Sequence, residues 1–88
     1  MEMNEQKRGW APRLDGLKRF LETVASWGPA SVYRVAREGG FPYITAYRYM
    51  RYCLEKGLVS SLRKGRRGSL KLVLTEKGRR FLEALDGA

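Results

Sequence analysis

The stretch FPYITAYRYMRYCLEKG, residues 41–57, decides how the rest of the chain is read. On a helix that turns about 100° per residue, Ala46, Met50, Cys53 and Gly57 fall on one narrow strip, with Tyr49 and Leu54 on its borders. That strip is small and apolar, which suits packing against other helices. The opposite side carries Ile44, Arg48, Arg51 and Glu55, with Thr45 and Tyr52 on one shoulder and Tyr47 on the other. This outer face is cationic and aromatic with a single acid. Its size suits the major groove of B-DNA, which is about 12 Å wide and admits one helix. The competing reading is a basic face that only solubilises, although solvated helices ordinarily mix both signs of charge.

On the N-terminal side of this stretch, Gly39-Gly40 can adopt positive φ and turn the chain sharply. Before it, residues 30–38 read as a short helix with Val32, Val35 and Ala36 inward and Arg34 and Arg37 outward. A short helix, a glycine turn and a longer basic helix form the helix-turn-helix arrangement, whose second helix enters the groove. Further upstream, Leu14, Leu17, Leu21, Val24 and Ala25 recur at helical spacing and Phe20 widens the stripe. This predicts a first helix over 13–27, opened by Pro12 and closed by Gly28-Pro29. Trp27 reads as a lid on the core, with a self-association surface as the alternative. Residues 1–11 show no period and read as a flexible arm, in which Trp10 docks on its own domain or on a partner.

On the C-terminal side, LVSSL (58–62) reads as a strand, and SLKLVL (69–74) as another with Leu70, Leu72 and Leu74 on one face. Between them, Arg63, Lys64, Arg66 and Arg67 crowd a glycine-flanked hairpin tip with no acid near. Such a tip repels itself, and a phosphate backbone is its natural counterpart. Thr75 can then cap a last helix, with Glu76 in its first turn and Gly78, Phe81, Leu82 and Leu85 sharing its core face.

Composition agrees with a polyanionic partner. The 88 residues suffice for one domain, and 18 Lys+Arg against 9 Asp+Glu give a formal net charge of +9. More than half of that excess lies in residues 58–75, which hold five cations and no acid. With no histidine and one cysteine, His/Cys metal clusters, His-based triads and an intrachain disulfide are excluded. No cofactor, metal or small-molecule ligand is expected, and no pair of carboxylates stands in a recognisable acid/base motif, so the chain does not read as an enzyme. Neither a membrane span nor a signal-peptide core is present, and the single cysteine fits a reducing cytoplasm. Asn and Gln occur once each and Arg is twice as common as Lys, a composition resembling thermophilic and archaeal proteins.

The order of elements resembles the winged helix-turn-helix fold: α+β, mainly α, with three helices, a two-stranded β-hairpin wing and a C-terminal helix over residues 12–88. GGFPYITAYRYMRYCLEKGLV (39–59) looks like the turn, recognition helix and first wing strand of prokaryotic winged-helix regulators. These commonly end that helix in Leu-Glu-x-x-Gly-Leu-Val or Glu-Lys-Gly-Leu-Val. LVLTEKGRRFLEAL (72–85) is similar to the Leu-Thr-x-x-Gly-x-x-x-Leu signature that follows the wing in MarR- and PadR-type regulators, met here by Leu74, Thr75, Gly78 and Leu82.

The resemblance implies a recognition helix over 42–57 whose Tyr43, Ile44, Thr45, Tyr47, Arg48, Arg51 and Tyr52 face the groove. It makes Arg63, Lys64, Arg66 and Arg67 the wing. Pro42, Tyr43 and Ile44 are departures, because family members often place Ser, Thr or Lys there. The long extra dimerisation helices of MarR and PadR proteins are also missing. The expected function is double-stranded DNA binding by a cytoplasmic, nucleoid-associated regulator that forms a homodimer through its N-terminal arm or first helix. Two rivals stand beside it: a winged helix used for protein or RNA contact, and an architectural DNA-binding protein without sequence preference.

Overall fold

The computed structural model describes residues 11–63 and 70–87. Trp10 and the rest of the expected arm up to residue 10, and the wing cations Lys64, Arg66 and Arg67, lie outside the described residues.

Helix α1, Leu14–Trp27, forms on the predicted stripe and buries Leu17, Phe20, Leu21, Thr23 and Val24. Two members of that stripe are not core residues: Leu14 is 62% exposed and Ala25 is exposed too. Among the described residues, no neighbour covers these two positions. Thr23 enters the core instead, because its hydroxyl donates to the Arg19 carbonyl oxygen at 2.7 Å and carries no unmet polar group inward. Trp27 is not a lid. It is 44% exposed, with the Arg34 guanidinium 4.7 Å from the centre of its ring.

Helix α2, Val32–Gly39, starts later than expected, after Ser31, whose hydroxyl accepts the Arg34 N–H at 3.1 Å. Ala30 is therefore not helical. Its N–H donates to the Leu72 carbonyl oxygen at 3.1 Å, and the Leu72 N–H donates back to Ala30 at 2.7 Å. Val35 and Ala36 are buried as expected, while Val32 is half-buried. Of the glycine pair, only Gly40 takes positive φ, at 74°. The Phe41 N–H then reaches the Ala36 carbonyl oxygen at 2.8 Å, closing a left-handed cap that reverses the chain.

Helix α3, Tyr43–Lys56, buries Ala46, Tyr49, Met50 and Cys53. Gly57, at φ 77°, ends it the same way, with the Leu58 N–H donating to the Cys53 carbonyl oxygen at 2.8 Å. Phe20, Phe41 and Tyr49 meet edge to face across α1, the turn and α3, with ring centres 6.0, 5.7 and 5.3 Å apart.

Strand β1, Val59–Arg63, pairs antiparallel with β2, Leu70–Leu74, so that Val59 stands opposite Leu74 and Arg63 opposite Leu70. β1 begins one residue later than expected, and Arg63 belongs to the ladder instead of the hairpin tip. Leu72 is fully buried, and Leu70 and Leu74 pack half-buried at the core edge. Ala30 adds a one-residue bridge on the other side of β2. Helix α4, Glu76–Gly87, follows the Thr75 cap, where the Thr75 hydroxyl accepts the Gly78 N–H at 2.9 Å. An ion pair of 2.9 Å between Lys18 and Asp86 joins α4 to α1.

Candidate nucleic-acid interface

The interface is built on α3, which the buried strip of Ala46, Tyr49, Met50 and Cys53 fixes in rotation about its own axis. With that strip facing inward, helical geometry turns Ile44, Tyr47, Arg48, Arg51 and Glu55 outward, and all five are exposed. Ile44 is 62% exposed, Tyr43 49% and Tyr47 40%. The rings of Tyr43 and Tyr47 stack one turn apart, with centres 6.3 Å apart and planes at 27°. Thr45 and Tyr52 are half-buried on the shoulder of the helix. Tyr52 packs against the core edge and carries the Lys56 ammonium 5.7 Å from its ring centre.

The cations of α2 and α3 differ in their surroundings. On α2, Arg34 and Arg37 lie 3.6 and 3.9 Å from Glu38, so a carboxylate already faces their charge. Among the described residues, neither Arg48 nor Arg51 takes part in an ion pair. They are exposed guanidiniums with their bidentate donors available. At the C-terminal end of α3, the Lys77 ammonium donates to the Lys56 carbonyl oxygen at 2.9 Å and covers the negative end of the helix.

The wing leaves α3 through Gly57 and Leu58 without a linker, so β1 and the recognition face belong to one rigid join. Arg63 is exposed at the far end of β1. Lys71 is not among the wing cations expected from sequence, yet it stands on β2 opposite Leu62, on the face away from Leu70 and Leu72. Strict alternation along 70–74 is the signal that locates it. The described residues hold no group of three or more His, Cys, Asp or Glu that could bind a metal, and no helix among them is long and apolar enough to cross a membrane.

A helix-turn-helix followed by a hairpin and a closing helix defines a winged-helix protein. Solved structures of the same fold include MarR family transcriptional regulators. One from Silicibacter pomeroyi matches with a TM-score of 0.72 at 22% identity, over 82% of this chain and 49% of that one. MarR of Staphylococcus aureus, solved in complex with salicylate and kanamycin, matches at 0.69 and 19% identity, over 97% of this chain and 56% of that one. A Listeria innocua protein of unknown function matches at 0.72 and 25% identity, over 82% of this chain and 50% of its own. The present chain thus spans about half the length of the structures it resembles. No family model and no curated protein matches the sequence.

Proposed function

We propose that this is a double-stranded DNA-binding transcriptional regulator that lays α3 in the major groove and its wing, residues 63–68, on phosphate or the adjacent minor groove. The observation that carries this reading is the outer face of α3, where Arg48 and Arg51 are exposed without acidic partners among the described residues, opposite the strip that anchors the helix. A net charge of +9 favours a polyanion, and the likeness in fold to MarR family regulators supports the same partner.

In this reading Tyr43, Ile44, Thr45, Tyr47, Arg48, Arg51 and Tyr52 meet the groove, and Arg63, Lys64, Arg66 and Arg67 grip the backbone. Residues 12–88 form the DNA-binding domain and 1–11 an arm. The protein works on the nucleoid as a homodimer, whose two recognition helices read half-sites about one helical turn apart, roughly 34 Å.

The test is selection of bound sites from random duplexes, followed by titration of the selected duplex at several salt concentrations, with light scattering for the mass. The expected result is a preferred, pseudo-palindromic site, a dimeric mass and log affinity that falls with log salt by about 0.9 for each phosphate neutralised. Weak, salt-insensitive binding would remove this reading in favour of a protein- or RNA-contacting winged helix.

A further inference from the structure

We infer that Ile44, beside the stacked Tyr43–Tyr47 pair, recognises the 5-methyl group of thymine, so that the start of α3 selects A·T pairs by apolar contact. The inference rests on the DNA-binding reading above and names the chemistry by which that face discriminates.

Among the described residues, nothing in the packing accounts for Ile44. It stands in the first turn of α3, 62% exposed, on the side away from the core. A β-branched side chain there loses rotamer freedom and adds less to helix stability than Ala, Lys or Glu would. Tyr43 and Tyr47 stack on each other beside it, giving the first turn and a half of the helix an apolar surface. Ile44 has Tyr47 three residues on and Arg48 four residues on, spacings that make neighbours on a helix surface. The methyl-reading element therefore adjoins the cation best suited to guanine or phosphate.

The chemistry of the groove selects the target. Adenine is read by a bidentate Asn or Gln, and the only Asn and Gln of this chain are Asn4 and Gln6, far from α3 in sequence. An A·T pair is then open to α3 mainly from its thymine side, where the groove edge offers one carbonyl oxygen and one methyl group. The N-terminal residues of a recognition helix are those that reach base edges, and here those residues are Tyr43, Ile44 and the half-buried Thr45.

The experiment uses the full chain and the duplex obtained by selection. Each dT is replaced in turn by dU, which removes the methyl group and keeps the Watson–Crick pairing. Affinity is expected to fall about fourfold at each dT that Ile44 contacts, the equivalent of one buried methyl. Ile44→Ala, a surface change verified by a melting temperature no lower than that of the native protein, should bind the dT and dU duplexes equally at those positions. The salt slope of Ile44→Ala should match that of the native protein. Equal affinity of the native protein for dT and dU duplexes overturns the inference and leaves DNA binding standing. A persistent dT preference in Ile44→Ala also overturns it, by assigning the methyl contact to another side chain. Absence of binding to any selected duplex removes the proposed function and the inference with it.

Discussion

The Thr75 hydroxyl lies 2.7 Å from the carbonyl oxygen of Gly57 and 2.9 Å from that of Leu58. It shares its proton between these two carbonyls just past the end of α3, and accepts the Gly78 N–H where α4 begins. One side chain thus joins the end of α3 to the start of α4 at the root of the hairpin.

Thr75→Val keeps the shape of the side chain and removes this join. The loss of a helix cap and a part-buried hydrogen bond should cost about 1–2 kcal/mol in urea unfolding. Thr75→Ser should recover most of it. Full stability in Thr75→Val, with a loss in Thr75→Ser, would show that the methyl group matters and the hydroxyl does not.

Gly78 tests the same join from the other side. Glycine to alanine inside a helix ordinarily stabilises by roughly 0.5–1 kcal/mol. Here a Cβ would collide with the Leu58 carbonyl oxygen, which is backbone and has little room to give. Gly78→Ala is expected to destabilise by about 1–3 kcal/mol. A gain in melting temperature would contradict the close approach of α4 to Leu58.

Cys53 is fully buried, and burial pushes its thiol up from 9.0 to about 12. Between those values the unfolded chain releases the thiol proton and the folded chain keeps it. This group's contribution to stability is therefore present below pH 9.0 and is lost as pH rises toward about 12. Native protein should resist alkylation at pH 8, and Cys53→Ala should show a weaker decline of stability with alkaline pH than the native chain. Rapid labelling of the native thiol would place Cys53 at the surface.

The recognition helix and the wing separate by their response to sequence and salt. Arg66→Ala/Arg67→Ala should weaken selected and scrambled duplexes alike and lower the salt slope by about 0.9 for each phosphate no longer held. Arg48→Ala or Arg51→Ala, where the native arginine holds a guanine, should cost about 1–3 kcal/mol on the selected duplex and relax one position. Equal weakening of both duplexes by the helix variants would favour an architectural protein. An unchanged slope in the wing variant would show that the hairpin does not touch DNA.

What the sequence made legible was the phase of each element. The strip of Ala46, Met50 and Cys53 and the alternation of Leu70, Leu72 and Leu74 both fix which side faces the core, and the structure keeps them. Periodicity carries no information on how far a neighbour extends, and the departures lie there. Leu14 and Ala25 have the spacing of core residues but lie where none of the described residues covers them, whereas Thr23 enters the core through a bond to its own helix. Ala30 sits in a pattern that reads as helix, and a partner more than forty residues away claims it as a bridge. The outer face of α3 was legible for the same reason as the core strip, being its opposite side. Its charge environment was not, because the pairing of Arg34 and Arg37 with Glu38 depends on rotamers.

The Ala30–Leu72 bridge sets what can vary in this molecule without loss of alignment. Two backbone hydrogen bonds pin the middle of β2 to the segment between α1 and α2, and Gly57 with Leu58 ties β1 directly to α3. The root of the hairpin is therefore part of the helix-turn-helix body. A change of length or charge between Arg63 and Leu70 leaves these ties in place, and with them the angle between hairpin root and α3. The frame that sets the direction of α3 is thus closed before the chain reaches the segment that joins the two strands.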